Sequence, residues 1–182
     1  MDGKSLCRES FSPTNDVMTH VWTKTILFLL LDLLVAGRVL QAATVSVLVV
    51  EGGLAEENSR AEASSAWEGG FMDALFEAGH IACNAEMVRQ EATVLPSPSF
   101  GWSEAMEGGA DYLVIVLLDY VSETRIDRMA PSSVSWRLVD KTGVIVATAQ
   151  NQRMAPTFSV NEDAKNGKDL AKVILVRMRD TR

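Results

Sequence analysis

From Ala43 onward the chain alternates between two kinds of apolar pattern. ATVSVLVVEGG, Ala43–Gly53, is a β-branched apolar run closed by two glycines. Apolar residues at both parities predict a strand buried on both faces. Ala63, Trp67, Phe71, Ala74, Leu75 and Ala78 then recur at three and four residues. That spacing predicts a helix with one buried stripe, and Gly79 predicts its left-handed end. Ahead of it, Asn58 or Ser59 is a candidate N-cap, with Glu62 three residues after Ser59. Gly69-Gly70 lies inside this helix, and side-by-side glycines there predict close packing on a sheet. A segment extended in part follows at His80–Arg89. A short helical pattern then carries Trp102, Ala105 and Met106.

The strongest strand signal is ADYLVIVLLDYVSE, Ala110–Glu123, with six consecutive apolar residues from Leu113 to Leu118. Such a run belongs at the centre of a sheet. Val134–Val139 and Val144–Ala149 follow, joined by Asp140-Lys141-Thr142-Gly143. Aspartate first and glycine last predict a hairpin with a type I turn and a glycine bulge. Trp136, Leu138, Ile145 and Ala147 are expected to share one face. Ala164, Gly167, Ala171, Ile174 and Met178 predict a closing helix over Glu162–Arg179, with cations toward its end. The order is β-α-β-α-β-β-β-α. It implies an α/β fold, a single-layer mixed sheet with helices packed on it and an antiparallel hairpin near the C-terminus.

The first 43 residues are of another kind. An apolar run spans 26–35 after Lys24, and small residues follow at Ala42 and Ala43. This is the layout of a secretory signal peptide. The run is short of the ~20 residues of a spanning helix. The run itself contains Asp32, whose charge at the centre of a spanning helix costs roughly 2.5–3.5 kcal/mol on insertion scales. The expectation is residues 1–43 as an N-terminal extension plus signal peptide, and 44–182 as a single α/β domain. Translation could start at Met1 or Met18. Export to the periplasm or the medium follows, with inner-membrane anchoring by residues 18–43 as the alternative. In that alternative the membrane contact runs only through the uncleaved segment.

Composition narrows the function. The chain has 182 residues, 47% hydrophobic and 23% charged, with net charge −7. From Ala43 onward there are 13 basic and 20 acidic residues, so the whole excess lies there. A nucleic-acid binder would present a basic face. Of the two cysteines, only Cys83 falls after the apolar run, so the mature part could form no internal disulfide.

Three segments carry a family resemblance. FMDALFEAGHI ends a helix in a small-residue turn, GADYLVIVLLDY leads into an apolar strand, and SVSWRLVDKTGVIVAT is strand, turn, strand. Together they resemble bacterial envelope domains of the LpoB/CsgG type, and more loosely the N-terminal domain of TolB. The resemblance spans most of Thr44–Arg179. It implies an envelope location, work by binding other envelope components, and no catalytic residues. The chain departs from both families: no acylated cysteine follows the apolar run, and no long amphipathic hairpins are present.

Candidate chemistry is sparse. Glu77, His80 and Cys83 recur at three-residue spacing. A structural zinc needs four ligands and a catalytic one three plus water, and Gly79 breaks the helical register between them. Cys83 is expected to be a buried strand residue, and no metal site or cofactor is expected. VVEGGLAEEN lacks a phosphate-binding pattern and carries Glu51, Glu56 and Glu57. Glu51 and Asp119 end central strands and would approach each other if those strands pair in parallel. They are candidate ligand residues for an acid/base pair or a divalent ion. Phe100 and Trp102 follow Pro-Ser-Pro-Ser, and Arg125 and Arg128 form the one locally basic loop. These four are candidate partner contacts. The expected function is a non-enzymatic exported envelope protein that binds another envelope protein in assembly or regulation, a role compatible with homo-oligomerisation. The alternative is a small-ligand or divalent-ion binder, or a weak hydrolase, using the strand-end carboxylates.

Overall fold

The computed structural model describes residues 42–53, 62–120 and 129–180. A six-stranded sheet is built from β1 (Thr44–Gly52), β2 (Ile81–Asn84), β3 (Val88–Gln90), β4 (Tyr112–Asp119), β5 (Ser133–Asp140) and β6 (Ile145–Arg153). The helices are α1 (Glu62–Glu77), α2 (Trp102–Glu107) and α3 (Val160–Asp180). The α/β class, the mixed sheet and the terminal hairpin are as the sequence predicts; the partly extended segment at His80–Arg89 forms two short strands, β2 and β3.

The order across the sheet is β2-β1-β4-β5-β6, with β3 beside β1 on the same edge as β2. β2, β3 and β4 run parallel to β1, and β5 and β6 continue antiparallel. The run predicted to be central does occupy the middle strand, with Leu113–Leu118 all buried. β2 and β3 form one interrupted edge. Val47 pairs with Asn84 and Val50 with Val88, so three edge residues oppose two of β1. This extra residue is a bulge, a common device at sheet edges.

Strand alternation sorts the core into two layers. Val45, Val47, Val49, Val114, Val116, Leu118, Trp136 and Leu138 meet Trp67, Phe71, Leu75, Ile174 and Met178 of α1 and α3. On the other face, Leu48, Val50, Leu113, Ile115 and Leu117 meet Leu95, Ala105 and the half-buried Trp102 around α2.

Both crossovers end alike. Gly79, at φ 78°, closes α1 with bonds from His80 N to Leu75 O and from Gly79 N to Phe76 O. Gly109, at φ 77°, closes α2 with bonds from Ala110 N to Ala105 O and from Gly109 N to Met106 O. Each is a Schellman turn, and only a residue tolerant of positive φ fits its C′ position.

Two expectations about packing are corrected. The glycine pair of α1 does not seat the helix on the sheet. Gly70 lies against Ala164 of α3, and a Cβ on Gly69 would meet nothing within 4 Å. Ile145 does not share a face with Trp136, Leu138 and Ala147. β6 carries an extra residue between Ile145 and Ala147, so Ile145 pairs with Val139 on the α2 face. The hairpin turn itself is as predicted. Gly143 (φ 82°) donates to Asp140 O, and Asp140 Oδ1 accepts from the amides of Thr142 and Val144. These bonds, the Thr142 hydroxyl foremost, hold the Asp140 carboxyl below its usual pKa.

The long closing helix is capped at its start. Ser159 Oγ accepts from Glu162 N, and Glu162 reaches back to Phe158 N at 2.6 Å. That is a capping box displaced by one residue. Beneath it the buried Thr157 hydroxyl donates to Asp163 at 2.6 Å.

Candidate functional site

Ligands of open α/β sheets lie at the carboxyl ends of parallel strands, where adjacent strands send their connections to opposite faces. β1 and β3 meet that condition. β1 leads to α1 on the two-helix face, and β3 leads to α2 on the other. A cleft of about 300 Å³ lies beside them, lined by Glu51, Glu86, Met87, Val88 and Arg89. The register sets Glu51 opposite Arg89, so both side chains leave the sheet on one face. Arg89 donates through Nε at 3.0 Å and Nη2 at 2.8 Å to Glu51 Oε2. Glu51 is buried, while the Arg89 side chain keeps 28% exposure toward the cleft. Sequence reasoning picked out Glu51 but not Arg89, whose role depends on a register that no local pattern encodes.

β1 and β4 do pair in parallel, yet Glu51 and Asp119 do not converge. Asp119 pairs with Gly52, and Glu51 with Leu118. A one-residue offset puts the two carboxylates on opposite faces. Glu51 is held by Arg89, and Asp119 accepts a hydrogen bond from Ser133 Oγ at 3.3 Å. The paired-carboxylate site is therefore not formed. Burial raises the Asp119 carboxyl above its ordinary pKa, partly offset by the Ser133 bond. The sign follows directly. A carboxyl with a raised folded-state pKa favours the fold while protonated and costs stability as pH rises through its unfolded value toward the folded one. We predict that Asp119→Asn makes the protein more stable than wild type at pH 7 and no more stable at pH 3, read by urea midpoints at both.

Glu77, His80 and Cys83 are engaged apart from one another. Glu77 pairs with Lys168 of α3. His80 Nδ1 accepts from Ala43 N at 3.1 Å, fixing the start of β1. Cys83 Sγ lies 3.6 Å from Val45 O. Among the described residues no group of three His, Cys, Asp or Glu side chains could hold a metal ion. Cys83 is exposed, not buried as expected, because β2 is an edge strand.

The partner-contact candidates divide. Arg125, Arg128 and the 26–35 run lie outside the described residues. Trp102 is half-buried against the α2 core; its indole N–H donates to Asp140 O at 3.2 Å, and its ring lies 3.8 Å from where a Cβ on Gly143 would stand. The hairpin tip is thus pinned to α2. Phe100 stays 40% exposed, as do Val144 (58%) and Ile145 (43%). No described helix is long and apolar enough to cross a membrane.

No family model and no curated relative matches the chain. Solved structures that match parts of the chain include the PelC dodecamer of Paraburkholderia phytofirmans, 13% identical, covering 75% of this chain and 86% of that one at TM-score 0.38. They also include a competence-damaged protein (CinA) superfamily member of Klebsiella pneumoniae 700603, 13% identical over 71% and 84% at TM-score 0.37. A third is the competence damage-inducible protein A of Klebsiella pneumoniae MGH 78578, 12% identical over 78% and 89% at TM-score 0.38. These structures are PelC and CinA-superfamily proteins, not LpoB/CsgG or TolB, and no family model supports the resemblance suggested by the three sequence segments. Those segments are a capped helix, a central strand and a bulged hairpin, which many α/β sheets contain.

Proposed function

We propose that this chain is a non-enzymatic, exported binding domain of the bacterial envelope, and that it engages a protein partner at the end of the β5–β6 hairpin. The observation supporting this is the set of exposed apolar side chains held on rigid backbone there. Trp102 anchors the turn, Val144 and Ile145 at its end are exposed, and so is Phe100, two residues before Trp102 in the chain. Aromatic and aliphatic groups on a fixed scaffold lose little entropy on binding and are typical interface anchors. Export rests on the leader-like pattern at 26–35.

The test is a photo-crosslinking amino acid at position 144 of the full chain, expressed in a bacterial envelope. The expected result is a discrete crosslinked protein in the envelope fraction, reduced at least tenfold by Phe100→Ser with the circular dichroism unchanged. A chain found in the cytosol, or one whose position 144 captures nothing, would falsify this reading.

A further inference from the structure

We infer that copies of this chain join head to tail, the Phe158 side chain of one copy entering the β1/β3 cleft of the next. Phe158 is 75% exposed, the highest value among the large apolar residues described. It is nonetheless rigidly placed. Thr157 before it is buried on Asp163, its own N–H is held by Glu162, and Ser159 after it caps α3. A stiff backbone that turns a phenyl ring into water gives a preorganised knob.

The hole has matching chemistry. Met87 and Val88 supply apolar walls, and thioether sulfur packs well on aromatic rings. The Arg89 guanidinium, oriented by Glu51, offers a cation to a ring face. About 300 Å³ admits a phenyl ring. Charge agrees as well. Exposed Glu86 lies at the cleft, while exposed Arg153 and Lys165 stand on either side of Phe158 in the chain, and the Glu162 carboxylate is turned onto backbone.

Knob and hole lie on different parts of the molecule. Phe158 lies in the connection between β6, one edge strand, and α3, five residues after Arg153, while the cleft adjoins β3 on the other edge. Phe158 does not line its own cleft. A contact between two different patches is heterologous, so each copy that donates a knob still has a hole to fill, and assembly runs on into a ring or a filament. This interface is separate from the hairpin surface proposed above.

The experiment is the mass of the full chain in solution by sedimentation, for wild type, Phe158→Ser, Glu86→Trp and an equimolar mixture of the two variants. Glu86→Trp plugs the hole from an exposed position. Wild type is expected to form oligomers. Each variant alone should need at least tenfold higher concentration to associate, and the mixture should give a dimer through one intact knob–hole pair. A monomeric wild type, variants that associate like wild type, or a mixture that stays monomeric would each overturn the inference. None of these results bears on crosslinking at position 144, so the two proposals stand or fall separately.

Discussion

Gly70→Ala is expected to lower the stability of this protein by about 3 kcal/mol, the upper end of what overpacking a core costs. A Cβ on Gly70 would stand 1.8 Å from the Ala164 carbonyl oxygen and 2.6 Å from its carbon. The obstacle is backbone, so no side-chain rotation relieves it, and the helices themselves must separate. The opposite helix repeats the arrangement. A Cβ on Gly167 would lie 2.2 Å from Trp67 O. α1 and α3 therefore cross with their backbones in contact at two reciprocal glycines, burying Trp67, Phe71, Ala171 and Ile174 around the crossing. Gly69 is the control. It has nothing within 4 Å, so Gly69→Ala should be neutral or stabilise by up to about 1 kcal/mol through helix propensity. Urea denaturation of the two alanine variants checks this. Gly70→Ala as stable as Gly69→Ala would mean that the helices do not cross this closely.

Those adjacent glycines show how far a sequence can be read. A 3.6-residue period fixes which face of α1 is buried, and Ala63, Trp67, Phe71, Ala74 and Leu75 are buried as the stripe requires. The period does not say what lies against that face. Gly69 and Gly70 look equivalent in sequence, and one is exposed while the other sits against a backbone 94 residues away. The Asp140–Gly143 turn was legible because all its bonds close within five residues. The offset of Glu51 and Asp119 was not, because register is a property of two strands 67 residues apart. Ile145 went to the other face for a similar reason: a bulge adds one residue and inverts the parity on which a strand prediction rests. At the candidate interface Phe100 and Trp102 could be recognised as aromatic residues after a loop signal. Phe158 could not be singled out, since its exposure is enforced by the buried Thr157–Asp163 bond and the cap around it.

Arg89→Met is the second large effect. It removes the guanidinium from a carboxylate that has almost no contact with water. Breaking a buried pair on one side costs roughly 3–5 kcal/mol, because the remaining charge keeps its desolvation penalty and loses that partner's contribution. Arg89 retains 28% of its side-chain exposure, which lets some water reach the site and places the expected loss near 3 kcal/mol. Replacing both partners by apolar residues is a different change. With the charge gone along with its counterpart, Glu51→Leu/Arg89→Met should recover at least half of what Arg89→Met loses. Salt separates this pair from surface pairs. Lys172–Asp169 is more than half exposed on both sides, so Lys172→Met should cost no more than about 0.5 kcal/mol and nothing at 1 M NaCl. The Arg89→Met loss should persist at 1 M NaCl. If it instead vanishes with salt, or if the double variant is less stable than Arg89→Met, Glu51 is not buried as the structure has it, and the cleft beside it loses the group that orients its arginine.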